Sequence, residues 1–241
     1  MCRMILAHGR FSAAAIVDAA IAMSTGRTAD HEGPTQCHPN GWGAVFRDPR
    51  APHGLAVHRD VRPIEQSAPE SIVPRIDTTF LVLHVRHATL ARNQGLACTH
   101  PLARQGPRGP LYFLHNGFLP TVYRRLGRER SEFDSAEYLE YLLPEGEGIL
   151  DVDAARARLR DIPPGGTSAN AILVSPRHAH VIHWTPEDTP YPRYFSMHRL
   201  SSRDSTVIAS EIVPTLAPRA SWEPLAPQSI LRIEIQGAES K

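Results

Sequence analysis

A cysteine stands second in a chain that has only three, at positions 2, 37 and 98. Removal of Met1 would leave Cys2 with a free thiol and a free α-amine on one residue. The thiolate is the nucleophilic form of cysteine, and a free pKa of about 8.5 leaves little of it at neutral pH. An α-amine with a pKa of about 7.7–8.0 is partly neutral there. It can take the thiol proton and return a proton to a leaving group. Four other stretches put polar residues at the ends of apolar runs: "HVRHAT" (84–89), "CTHP" (98–101), "FLHNG" (113–117) and "FDSAE" (133–137). Each alone has a plain structural reading. A strand can end in Arg at a surface edge, Asn-Gly is a turn, and Asp134 before Ser135 is a helix N-cap.

These residues need elements to hold them. The first strand is read at Arg3 to Ala7, and an amphipathic helix at about Ala13 to Thr25, with Ser12 as N-cap and Gly26 as the stop. "GWGAVF" and "GLAVHRD" read as a hairpin. "FLVLHVRHA" is the strongest strand signal in the chain, and "LYFLHNG" is another. Helices are expected at Ser135 to Leu143 and near Val152 to Leu159. After the break at "PPGG" come "SANAILVS", "HAHVIHW", "RYFSMHR", "STVIAS" and "SILRIEI", all short and strand-like. Five such strands need partners, and completing the sheets of the first part is simpler than a second domain.

The 241 residues carry a formal net charge of +1, so no global field draws the chain to nucleic acid or to an anionic membrane. The cluster Arg124, Arg125, Arg128, Arg130 reads as a solvated helix face. No apolar run approaches the ~20 residues of a membrane span. Three cysteines make no disulfide framework, and a reducing cytoplasm is the expectation. Thirteen histidines invite a metal, but no CxxC, HExxH or HxxxH spacing is present, so none is expected. His178 and His180, two apart on a strand, share one face, expected to be exposed.

Taken together and in this order, the motifs from Cys2 to about Glu137 resemble the class II glutamine amidotransferases, amide hydrolases with an N-terminal nucleophile. "MCR", "HPNGWGAVF" (38–46) and "VIASE" (207–211) resemble its stand-alone branch. That branch includes bacterial amidotransferase-like proteins and hydrolases of γ-glutamyl compounds in ergothioneine and glutathione metabolism. The resemblance implies an α+β fold, a four-layer α/β/β/α sandwich of mostly antiparallel sheets, with residues 1–241 as one domain. It implies that Cys2 attacks the γ-amide of glutamine or of a γ-glutamyl compound. Ammonia or an amine then leaves, and a γ-glutamyl thioester is hydrolysed.

The same resemblance distributes the other roles. Asn116 and Gly117 would form the oxyanion hole. Arg86 would grip the α-carboxylate in a forked contact, with Thr89 and His100 beside it, and Asp134 would pair with the α-ammonium. "DSAE" is one residue longer than the family's Asp, Ser or Thr, Glu, so Asp134 is carried over and Glu137 is not. Asn40 stands where the branch often has Asp. Gly41, Trp42 and Gly43 are read as structural. No metal or organic cofactor is implied. The leaving group would be met by loops such as 26–40, 63–78 and 185–193. Two other readings stand beside hydrolysis: a glutaminase subunit delivering ammonia to a separate synthase, and a silent subunit that keeps the fold and binds a partner.

Overall fold

In the computed structural model, residues 1–68, 72 and 76–235 are described. The proline-rich stretch 63–78 therefore lies partly outside the described residues, at 69–71 and 73–75. The chain builds two antiparallel sheets. The first has seven strands: β1 (Arg3–Gly9), β2 (Trp42–Arg47), β3 (Leu55–Asp60), β4 (Phe80–Val85), β9 (His198–Ser201), β10 (Ser205–Ala209) and β11 (Trp222–Pro224). Their spatial order is β11-β9-β10-β1-β4-β2-β3. The second has five: β5 (Leu102–Gly106), β6 (Gly109–Asn116), β7 (Asn170–Val174), β8 (His178–His183) and β12 (Ser229–Glu234), in the order β12-β8-β7-β6-β5.

Side-chain alternation along each strand creates the layers. Ile5, Ala7, Leu81 and Leu83 point outward against Ile16, Val17, Ala20 and Met23 of helix α1 (Ala13–Ser24). Met4, Leu6, Val82 and Ile208 point inward and meet Leu114, Ile172 and Val181 of the second sheet. Phe113, Ala171 and Leu173 point out on the far side against helices α2 (Asp134–Leu142) and α3 (Val152–Arg160), through Tyr138, Leu142 and Leu159. Helix, sheet, sheet, helix is the expected four-layer order. Each fully buried Leu, Ile or Met between the sheets contributes about 1.5–3 kcal/mol. The strands after "PPGG" are divided between the sheets: β7, β8 and β12 complete one, and β9 to β11 complete the other.

Several local expectations are corrected. "RYFSMHR" is a turn up to Met197, and the strand begins only at His198. Tyr194 and Phe195 are fully buried, but they pack ring edge to ring face at 4.9 Å in a turn instead of alternating in a ladder. The first arginines of the 124–130 cluster lie in a short 3-10 turn, Val122–Leu126, and not on an α-helical face. Arg125 and Arg128 pair with Asp161 and Glu140 in solvent. His178 and His180 do share a face, but His180 is buried. β12 lies beside them in register, and Arg232 and Glu234 reach His178. Asp134 is not the N-cap of its helix: Phe133 is, and Asp134 is the first helical residue. β5 and β11 had no signal of their own, since Arg, Gln and Gly fill the first and Pro ends the second.

Candidate active site

The inward faces of the two sheets converge at one end of the sandwich. Arg3 pairs with Val85, and Asn116 with Asn170, so the start of β1, the end of β4, the end of β6 and the start of β7 share that end. Parity then decides what meets there. Cys2 continues the inward series Leu6, Met4; His84 and Arg86 continue Phe80, Val82; Asn116 continues Tyr112, Leu114. The two sheets touch through a hydrogen bond of 3.1 Å from the Cys2 amide to Asn116 Oδ1. Asn116 is fully buried and its Nδ2 has no partner. That is a costly state for a buried donor, and it suits one held ready for a ligand oxygen.

A cavity of about 30 Å³ adjoins the thiol, with room for about two waters. Cys2, Arg86, Thr89, His100, Gly117 and Asp134 all line it. Six of the seven residues expected from sequence thus line one cavity, and the seventh, Asn116, is bonded to Cys2. Met1 lines it as well: its ammonium donates to the His87 carbonyl at 2.9 Å and to Thr89 Oγ1 at 3.0 Å.

Arg86 is buried, and one terminal nitrogen donates to the Asn93 carbonyl. Among the described residues no carboxylate pairs with it. A buried guanidinium without an anion is expensive unless a ligand supplies one. Its backbone is pinned from both sides, by Gly41 O to its N–H and by the Asn40 N–H to its carbonyl, each at 2.9 Å. Asn40 also accepts from the Ala88 N–H at 3.0 Å, so the neutral side chain ties down the loop that follows β4. Gly43 permits a further close approach: a Cβ there would collide with the carbonyls of His100 and His58. Trp42 is fully buried and donates to Ser67 Oγ. The structural reading of 41–43 agrees with this packing.

Across the cavity Asp134 is buried in the first turn of α2. Its Oδ2 accepts from the Leu119 N–H at 2.9 Å, which fixes the carboxylate to the segment after Asn116. The helix is anchored twice more. His115 Nδ1 meets Ser135 Oγ at 2.9 Å, while its Nε2 lies 3.1 Å from the Ser168 carbonyl. Glu137 accepts from the Glu132 and Phe133 N–H groups and from Ser131 Oγ. Glu137 therefore holds the loop leading into the helix and does not line the cavity. Gly117 passes so close to the Ser168 carbonyl that any Cβ would collide with it, a packing demand separate from substrate approach.

The thiol is strongly perturbed. Burial opposes its ionisation, but His84, the Met1 ammonium and hydrogen bonding from His84 and the His87 backbone outweigh that, and its pKa falls to about 6. The Met1 amine is lowered, first by burial and then by Arg86 and Arg3, with Cys2 acting against them. Burial also holds His100 well below its usual range and His38 down to about 2. Both rings stay neutral and add no positive charge to that of Arg86 at the cavity.

Behind the thiol, on the outward face of the sheet, Arg3 is fully buried. Its Nε is 2.5 Å from Glu211 Oε1, one Nη donates to the Tyr194 and Cys2 carbonyls, and the guanidinium stacks 3.8 Å over the Tyr194 ring. His31 and Thr28 also reach Glu211. Ser210 bonds Met4 through both its side chain and its backbone. This explains "VIASE" (207–211): it braces the first residues of β1.

Sequence reasoning missed His84, Asn93, His115 and Ser135. The signal for His84 was present, because residue i−2 of Arg86 shares its face on a strand. Of the loops proposed for the leaving group, 185–190 lines a separate cavity of about 780 Å³ at the same end of the second sheet, with Leu119, Thr167 and Trp184. It does not line the Cys2 cavity.

Two sheets sandwiched by helices, with a cysteine at the head of a central strand, define the architecture of N-terminal-nucleophile amidases. The family model described as "Glutamine amidotransferases class-II" matches residues 10–138, more than half of the chain, and the chain belongs to that family. Cys2 lies outside the matched segment, whereas Arg86, Thr89, His100, Asn116, Gly117 and Asp134 lie inside it. Among solved structures the chain is similar to the glutamine phosphoribosylpyrophosphate amidotransferase of B. subtilis. The identity is 16% and the TM-score 0.63, over 98% of this chain and 49% of that one. It is similar to a structure titled the allosteric regulatory enzyme of purine biosynthesis, with 16% identity, a TM-score of 0.67 and the same coverage. It is also similar to a glutamine aminotransferase class-II domain protein of Silicibacter pomeroyi. There the identity is 17% and the TM-score 0.58, over 99% of this chain and 96% of that one. At these identities the likeness is one of fold, and the chain spans about half the length of the first two. No curated protein matches it. Among the described residues no helix is long and apolar enough to cross a membrane.

Proposed function

We propose that this chain hydrolyses the γ-amide of glutamine or of a γ-glutamyl compound, with Cys2 as nucleophile. The observation that carries the reading is the pairing of Cys2 with Asn116, whose buried Nδ2 is unpartnered, across a cavity that also holds an arginine lacking a counter-ion. Arg86 receives the α-carboxylate and Asp134 the α-ammonium, with Thr89 and His100 beside the carboxylate. Such a clamp accepts a free glutamyl head and rejects glutamine inside a protein, whose α-groups are amides. The thiolate attacks the amide carbon, and Asn116 and Gly117 receive the oxyanion. The C–N bond breaks, the nitrogen leaves with a proton from the α-ammonium, and water, giving a proton to the same amine, cleaves the thioester.

In this reading Met1 is removed. A cavity of about 30 Å³ lined by Met1 is too small for a glutamyl group, and loss of Met1 both enlarges it and moves the amine onto Cys2. The test is intact-mass spectrometry before and after an electrophilic glutamine analogue, with the N-terminal peptide sequenced. Loss of Met1 and a single adduct on Cys2 are expected. Retained Met1 without an adduct would sink the reading and favour a silent subunit. Cys2→Ala should abolish turnover, by about a thousandfold or more, without unfolding the protein. Glutamine turnover that appears only with a synthase added would favour ammonia delivery.

A further inference from the structure

The site contains a second base that neither the motif resemblance nor the role of the α-amine calls on. His84 is fully buried on the inward face of β4, opposite Met4 and two residues before Arg86. Its Nε2 lies 3.1 Å from the His115 carbonyl of the other sheet. A carbonyl only accepts, so Nε2 must carry the hydrogen and Nδ1 of the neutral ring must be the lone-pair nitrogen. That Nδ1 is buried and has no hydrogen-bond partner, and Cys2 stands on the same inward face of the adjacent strand, two residues before Met4, the register partner of His84. The ring is held further by His100, packed against it at 4.4 Å between centroids. Tautomer, orientation and vacancy are thus set by groups on three different segments.

We propose that His84 is a catalytic residue of this site, and that its Nδ1 accepts the Cys2 proton and keeps the thiolate as an ion pair. The inference rests on Cys2 being the nucleophile. The S–H bond breaks and an Nδ1–H bond forms; the sulfur lone pair then makes the C–S bond to the amide carbon. The proton stays on Nδ1 through the thioester, and the ion pair is restored when water displaces sulfur. The α-amine is left to serve the leaving nitrogen and the attacking water. This division does not depend on which residue carries the amine. The charged and titratable groups around His84 are Cys2 and the N-terminal amine from β1, His100 from the segment before β5, His115 from β6 and Arg86 from its own strand. Burial pushes both His100 and His115 towards the neutral form.

The test is the pH dependence of Cys2 alkylation by iodoacetamide, followed on the N-terminal peptide, in the wild type and in His84→Gln. Glutamine can still donate to the His115 carbonyl but offers no base. Wild-type alkylation should reach half its maximal rate near pH 6. In His84→Gln that midpoint should rise by at least one unit, with a reaction at least about threefold slower at pH 6.5 and convergence above pH 9. The acid limb of kcat should move with it. An unchanged midpoint and pH–rate profile would overturn the proposal, while continued loss of turnover in Cys2→Ala would leave the amidase reading standing. Should His84→Gln not fold, ring-nitrogen NMR of the wild type decides: alkylating Cys2 should remove the proton from Nδ1. A ring unaltered by alkylation would overturn the assignment.

Discussion

Two buried arginines stand at the same end of the seven-stranded sheet, on opposite faces. Arg3 is closed in by Glu211, by two carbonyls and by the Tyr194 ring. Arg86 has one carbonyl and, among the described residues, no anion. The desolvation cost of the first is met inside the protein, so its role is to hold β1 and the carbonyl of Cys2 in place. The cost of the second is left open toward a cavity, which is the condition for binding a carboxylate tightly. Burial alone does not separate a structural charge from a functional one; the presence of a protein counter-ion does.

The contrast can be broken most severely at Glu211. Glu211→Ala strands Arg3 in the core and should cost about 3–5 kcal/mol, lowering the melting temperature by about 10 °C. A calorimetric scan showing no loss would mean that Arg3 is not held by this pair. Arg86→Leu should do the opposite. Stability should hold or rise, while the Michaelis constant for glutamine increases by about 10- to 150-fold, the equivalent of a charge-assisted contact of 1.5–3 kcal/mol. Equal stability losses in both variants would erase the distinction. Asp134→Ala should raise the Michaelis constant by about tenfold, together with a stability loss of about 1 kcal/mol from the orphaned Leu119 N–H. An unchanged Michaelis constant would remove Asp134 from the clamp.

The pH dependence of stability sharpens the same picture. Cys2 sits at about 6 in the fold and at about 8.5 in an unfolded chain. Between these values the unfolded chain binds more protons, so stability rises with pH and is lost as pH falls through 6. His38, at about 2, and the buried His100 act in the same direction below about 6.5. The melting temperature should therefore be a few degrees higher at pH 8.5 than at pH 5.5, and Cys2→Ser should flatten the part above 6. The smallest effect is expected at a third kind of arginine. Arg128, exposed and paired with Glu140, should tolerate Arg128→Ala within about 0.5 kcal/mol.

How much of this was legible beforehand differs by kind of signal. Ser12, the apolar run of α1 and the alternation in 80–85 carried their own elements, because caps and periodicity act over a few residues. β5 carried none: "LARQG" becomes a strand only because the edge of β6 is unpaired beside it. "RYFSMHR" read as a strand and is a turn up to Met197, with Tyr194 packed on Arg3 and His31. His180 read as exposed and is buried, because β12 arrives from fifty residues further on. The candidate site was legible as a set of residue types in order: of the seven residues named without the fold, six line the cavity and Asn116 is bonded to Cys2. Glu137, set apart in sequence by the longer "DSAE", holds the loop before the helix and does not line the cavity.

The sequence by itself determined the nucleophile-bearing start of the chain, the parity of His84 with Arg86 and of Leu114 with Asn116, and the membership of the set. Those follow from the two-residue repeat of a strand and from side-chain chemistry. Only the tertiary structure decided that Asn116 Nδ2 has no partner and Arg86, among the described residues, no anion, that Arg3 is paired with Glu211, and that the His115 carbonyl sets the tautomer of His84. Each of these depends on what the fold packs around a group, and no local pattern encodes it.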